Sequence, residues 1–243
     1  QPRIARVNPI SQRGVMSVLG RKIAGQMSES LLVGCLLAWA GGFLETYSFF
    51  TREGVFANCQ TGNLVMLAMR LTQQNFQEAL LYFIPIFAFF LGVLLTDLLR
   101  DRCGNRFFHW RQPVLLLEIL FLITVGLLPQ TNWGNPAATT LISFSCAMQV
   151  ESFRKIGGSV YATTMCTGNL RSGTSHLASL LLRREAGAGR KALRYFVIIA
   201  VFMTGAACGT GAATIWEIRA VWIACLVLLC VFFLLFCRPL QEE

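Results

Sequence analysis

The run LLVGCLLAWAGGFLETYSFF, Leu31–Phe50, decides the fold. It is apolar over the roughly 20 residues that a helix needs to cross a hydrocarbon core about 30 Å thick. Outward from it, five further runs of the same character follow: Ala79–Leu98, Pro113–Leu128, Ala137–Phe153, Tyr195–Trp216 and Ala220–Cys237. They occupy the chain along its whole length and leave nothing for a separate soluble domain. Composition agrees, since 55% of the 243 residues are hydrophobic and only 14% charged, with a mean hydropathy of +0.57, whereas soluble domains are about 25% charged. The expected class is all-α: a polytopic membrane helix bundle of about six transmembrane helices. The first run follows Arg21 and Lys22 as the core of a signal peptide would, yet its far end reads Gly41-Gly42-Phe43-Leu44-Glu45-Thr46-Tyr47 and its pattern recurs, so it is expected to be retained.

The net charge of +9 comes from basic residues dispersed around the apolar runs, which argues for membrane topology and against nucleic acid as a partner. Lys and Arg accumulate in cytoplasmic loops. With a cytoplasmic N-terminus, eighteen of the 21 fall inside, and three, Arg52, Arg70 and Arg219, fall outside. Both termini are therefore expected in the cytoplasm. Residues 1–30 form a basic segment whose composition is shared with organellar transit peptides and with ordinary cytoplasmic flanks; it is read as a flank. Nine cysteines form no CxxC pair, and those inside the runs (Cys35, Cys146, Cys208, Cys225, Cys230) are expected to be buried free thiols.

Sliding the sequence on itself by 106 positions pairs Glu45-Thr46-Tyr47 with Glu151-Ser152-Phe153, and Thr61-Gly62-Asn63-Leu64 with Thr167-Gly168-Asn169-Leu170. A few residues of insertion later, Phe89-Phe90-Leu91-Gly92 falls on Phe202-Met203-Thr204-Gly205. Two blocks in the same order at one offset point to duplication, with repeats at residues 31–128 and 137–237. Each repeat holds three runs, an odd number. The second must then enter the bilayer from the opposite side, which makes the repeats inverted.

The residues that carry the repeat also carry a resemblance. Phe56-Ala57-Asn58-Cys59-Gln60-Thr61-Gly62-Asn63-Leu64 resembles the hallmark of the YoaK-like family of bacterial membrane proteins, a domain of unknown function. Ala147-Met148-Gln149, followed by Thr163-Thr164-Met165-Cys166-Thr167-Gly168-Asn169-Leu170, is similar to that family's second block. The likeness runs from about Leu31 to Phe236. It implies six spans and a bacterial inner (cytoplasmic) membrane, and it leaves the activity open. Glu45 stands where the family more often has Asp, and Val150-Glu151 where it more often has Asn-Ala.

Thr61–Leu71 is apolar over about 11 residues, which at 1.5 Å each covers half a hydrocarbon core. It reads as a short re-entrant half-helix, and Thr167–Leu182 reads the same way. Thr or Asn at the start can cap free N–H groups, and Gly lets another backbone approach. Two half-helices entering from opposite faces bring their positive ends together near the midplane, where a small anionic or polar solute is favoured. The candidate binding residues are Gln60, Thr61, Gly62, Asn63, Thr167, Gly168 and Asn169. The competing reading makes Thr-Gly-Asn a packing device, with Gly for close contact and Asn bonding across helices.

Acidic groups at membrane depth are costly, so Glu45, Glu118 and Glu151 are candidate proton or ion sites. Glu45 and Glu151 lie towards run ends, where an interfacial role competes; Glu118 either carries a proton or pairs with an Arg of another helix. Asp97, beside Arg100 and Arg102, is expected to mark the cytoplasmic interface. His176 falls 106 positions after Arg70 on the equivalent half-helix, and Trp110, Trp133, Trp216 and Trp222 fit an interfacial aromatic belt. The leading functional expectation is a transporter or channel for a small solute in the lipid bilayer. A membrane scaffold or regulatory protein is the alternative, resting on the basic stretch Arg183–Arg194. An intramembrane enzyme is disfavoured: there are only two His, no HExxH, no GxSxG and no phosphate loop. No cofactor or metal is expected, and the residues name no substrate, coupling ion or oligomeric state.

Overall fold

A computed structural model describes residues 30–103, 111–156, 159–161 and 163–236. The basic segment before Ser30, Trp110, Cys237 and Arg238 lie outside the described residues. Among those described are eight α-helices: α1 Leu31–Thr51, α2 Gln60–Thr72, α3 Phe76–Cys103, α4 Arg111–Val125, α5 Gly134–Ser152, α6 Cys166–Arg183, α7 Ala188–Trp216 and α8 Val221–Leu234. One small hairpin, β1 Lys155–Ile156 against β2 Ser159–Val160, separates α5 from α6. The all-helical expectation holds, with that hairpin as the exception.

Local chemistry sets the element boundaries. Ser30 starts α1 by accepting the Val33 N–H at 3.2 Å, and the helix stops where Glu53 and Gly54 both adopt positive φ. Gly187 at φ +81 turns the chain between α6 and α7. Three segments are long and apolar enough to cross a membrane: Leu31–Thr51, Phe76–Arg102 and Ala188–Leu234. The last contains two of the expected runs. Its 47 residues would reach about 70 Å as one helix, more than twice a hydrocarbon core, and the chain breaks it with Glu217 at φ 48 and a 3-10 turn, Glu217–Ala220. The remaining two runs are α4, of 15 residues, and α5, of 19 residues with polar Thr, Ser, Asn and Gln side chains.

The core lies where α1, α4, α5 and α8 meet, around Leu37, Phe43, Leu44, Leu115, Leu122, Ile142 and Leu228. The outer surface is apolar too: Phe83, Phe87 and Phe90 stack along the exposed face of α3, and Leu226 and Phe233 project from α8. An apolar face of this extent needs a nonaqueous or protein neighbour. Cys208 and Cys230 sit on that exposed side, which corrects the expectation that every thiol in the runs is buried; Cys146 and Cys225 are buried.

Helix pairing crosses between the two halves. α1 packs chiefly on α7 and α3 on α5, while α2 lies on α3 and α6 on α7. α4 touches α5 and α8, and α8 touches α1. Exchanging α1 with α5, α2 with α6, α3 with α7 and α4 with α8 returns the same set of pairs. The α1–α7 seam is close because glycine removes the side chains that would separate the backbones. A methyl group on Gly42 would lie 2.1 Å from the carbonyl oxygen of Phe202, and one on Gly205 2.1 Å from that of Trp39. Thr46 Oγ1 adds a bond to the Ala206 carbonyl at 2.8 Å. Gly205→Val should therefore overpack the seam and cost about 1–3 kcal/mol, read as a lower unfolding midpoint in detergent. Gly211→Ala, where nothing lies within 4 Å of an added methyl, should leave the midpoint unchanged or raise it by up to ~1 kcal/mol; equal losses in both variants would refute the seam.

Candidate functional site

The centre of the molecule is built by two segments that fold back along α1. Leaving α1 at Thr51, the chain turns at Glu53 and Gly54 and returns alongside the helix it has just left. Three rungs hold it there. Ala57 N–H donates to Ser48 Oγ at 3.1 Å, the N–H groups of Asn58 and Cys59 donate to Glu45 Oε2 and Oε1 at 2.9 and 3.0 Å, and Asn58 Nδ2 donates to the Gly41 carbonyl at 3.3 Å. Gly41 lies midway along α1. From there α2 starts at Gln60 and lies on α3.

The second segment meets the N-terminal half of α1, where Tyr161 packs with Ala38. After α5 and the hairpin, Thr163 and Thr164 lead into α6, and Thr164 packs against Gly41 so closely that a methyl there would lie 2.8 Å from its Cγ2. Gln149 on α5 ties this segment to α1: its Nε2 donates to the Leu37 carbonyl at 3.2 Å and to Thr163 Oγ1 at 3.4 Å. Asn58 and Thr164 stand 106 positions apart in sequence and touch the same residue.

The expected capping role of Thr and Asn is corrected. Neither α2 nor α6 has a side-chain cap at its first turn. Asn63 instead donates from Nδ2 to the Phe56 carbonyl at 2.6 Å and to Gln60 Oε1 at 3.1 Å, and Gln60 donates to the Ala57 carbonyl at 2.8 Å. At α2 the amides of Gly62 and Asn63 donate to the Cys59 carbonyl, and Glu45 takes the amides of Asn58 and Cys59 just before them. Of the candidate residues, Asn63 and Asn169 are buried, 1% and 3% exposed. Thr61, Thr167 and Gly168 face outward, with Gln60 and Gly62 between the two extremes.

The three glutamates have three different surroundings. Glu45 holds backbone amides. Glu151 accepts Arg100 and Arg154, each at 2.8 Å, and Arg100 also pairs with Asp97, so Asp97 does join a basic cluster. Glu118 is fully buried on α4 and neither carboxyl oxygen has a hydrogen-bond partner, which removes the expected Arg partner. The positions 106 residues apart on α2 and α6 also diverge: Arg70 pairs with Glu78 at 3.0 Å, while His176 stacks on Tyr195. Among the described residues no group of three or more His, Cys, Asp or Glu is placed to hold a metal ion.

Arg52, expected from the sequence as an external loop charge, is fully buried and donates to the carbonyls of Val125, Leu128 and Pro129 and to Asn135 Oδ1 at 2.8–3.3 Å. It closes the open carbonyl end of α4, a group that every helix must satisfy somehow. Its one sequence signal is its position, directly behind an apolar run on the side poor in basic residues.

Apolar helices with exposed apolar faces around a buried polar centre are consistent with a membrane protein. The chain belongs to the family described as Protein of unknown function (DUF1275), which matches residues 33–234, in accord with the YoaK-like resemblance of its motifs. No curated protein and no solved structure matches it.

Replacing Glu45 by Gln leaves one amide N–H facing an NH2 group, so the unfolding midpoint should fall by an amount worth about 1–3 kcal/mol. Glu78→Gln, which breaks only the exposed pair with Arg70, should cost at most ~1 kcal/mol. Comparable shifts in the two variants would contradict the structural role given to Glu45.

Proposed function

We propose that the protein is a multi-pass transporter or channel of the bacterial inner membrane for a small polar solute, and not an enzyme. In this reading α1, α3, α4, α5, α7 and α8 cross the bilayer, with α4 extended by the turn through Leu128. The two halves have opposite orientations, and α2 and α6 are re-entrant half-helices starting near the midplane. The observation that carries the reading is the meeting of Asn58 and Thr164 at Gly41, halfway along a spanning helix. Polar backbone at that depth is tolerated only where it is buried in protein or lines a cavity, and half-helix N-termini at the midplane are the recurrent solute site of transporters built from repeats. The exchange symmetry of the helix pairs supports the duplication, and the eighteen-to-three distribution of basic residues supports cytoplasmic termini.

Orientation is testable by cysteine labelling in intact cells, using a background without native cysteines. A membrane-impermeant reagent should reach a cysteine introduced at Asn132 and miss one at Ala186; both positions are exposed. The reverse pattern would invert the topology.

Function is testable by flux into liposomes. Asn63→Leu and Asn169→Leu each keep approximate volume and remove donor and acceptor. Each removes a buried amide and should cost about 1–3 kcal/mol of stability, but flux per folded protein should fall by tenfold or more, and the double variant should be no worse in flux than either single, because effects at a shared site do not add. Unchanged flux with additive losses of stability would favour Thr-Gly-Asn as a packing device and the protein as a scaffold.

A further inference from the structure

The charge and the free lone pairs at Gly41 say what kind of solute fits. Two half-helix N-termini contribute about half a positive charge each, which would recruit an anion if nothing opposed them. Glu45 opposes them: its carboxylate occupies the Asn58 and Cys59 amides and supplies one negative charge from within the chain. No net positive charge is left for an anion. Arg52, the buried cation of this half, has its guanidinium committed to the carbonyls around residues 125–135.

What remains unused is oxygen. Gln149 Oε1 and Asn58 Oδ1 have no hydrogen-bond partner, although the two residues are 0% and 3% exposed; the weak thiol donor of Cys146 lies beside Asn58. Their orientation is not arbitrary. Each amide nitrogen is held by a carbonyl of α1, Leu37 for Gln149 and Gly41 for Asn58, and a carbonyl can only accept, so the oxygens must point elsewhere. Thr164 Oγ1 is likewise buried without a partner. Buried acceptors are normally satisfied, and three spare oxygens around one turn of α1 offer acceptors to a donor-bearing ligand.

We propose that the site at Gly41 takes a small N–H-bearing cation of the ammonium or amine class rather than an anion, with Gln149, Asn58 and Thr164 as acceptors and Glu45 cancelling the positive helix ends that would otherwise repel it. This rests on the solute-site reading above and narrows it.

The test uses full-length protein in detergent at constant ionic strength, with ammonium, methylammonium and guanidinium chlorides as probes against sodium formate and nitrate. The cations should raise the unfolding midpoint in a saturable way and the anions should not. Thr164→Val removes a hydroxyl that bonds to nothing in the protein, so its ligand-free midpoint should match the parent while the apparent affinity for the cations falls tenfold or more. Gln149→Met removes the spare oxygen together with the bond to Leu37, so it should weaken the same response and lower the ligand-free midpoint as well. Stabilisation by formate or nitrate alone, or a cation response unchanged in both variants, overturns the inference. Liposome flux separates it from the transport reading. Cation binding without flux of any probe removes transport and leaves the inference, anion flux lost in Asn63→Leu does the reverse, and neither binding nor flux removes both.

Discussion

A chain that turns back into an apolar interior must find partners for every amide it carries with it, and here one carboxylate meets that demand. Glu45 takes the N–H groups of Asn58 and Cys59 just where α2 begins. Buried backbone groups left without partners would each cost about as much as a lost hydrogen bond. Ser48 above and Gly41 below extend the same arrangement over successive turns of α1, so the helix serves as a ladder on which the returning strand is hung. The position of α2 follows from the ladder. So does the way α2 lies on α3, since only three residues, Gln73–Asn75, join them.

The two halves share a plan and differ in how they satisfy it. Glu45 and Glu151 are equivalent in sequence, yet one binds amides and the other two arginines. The difference follows from what surrounds them. Glu45 is packed against its own returning segment, whereas Glu151 lies in the last turn of α5, within reach of Arg100 at the end of α3. Arg52 has an analogous local task, saturating the carbonyls at the end of α4. Charges placed at the extremities of helices are cheap to satisfy and hold neighbouring elements in place.

The helices were legible because the feature that defines them, a long apolar run ended by Gly or a charge, is one-dimensional. Leu31–Phe50 became Leu31–Thr51, and the half-helix expected from Thr61 to Leu71 became Gln60–Thr72. The partners of polar groups were not legible, because they depend on which segments meet. Nothing near Arg52 in sequence announces the carbonyls of Val125 and Leu128, and nothing near Gln149 announces that of Leu37. The flanking Asn58, Gln149 and Thr164 lie within the motif blocks, but nothing in the linear pattern ranks them above the Thr-Gly-Asn triplets that follow. The side of a helix was also hidden: the weak periodicity of runs apolar all round gives no clue that Cys208 and Cys230 face outward while Cys225 faces in.

The crossed pairing of α1 with α7 and α3 with α5 bears on how such a chain is made. Ribosomes deliver ~5–20 residues per second, so α1 waits on the order of ten seconds or more before the Gly205 face of α7 exists to receive Gly42. During that interval its glycine face has no mate within the nascent protein. Completion therefore hangs on the last third of synthesis, and a truncated product would leave an unsealed helix that quality-control proteases can recognise.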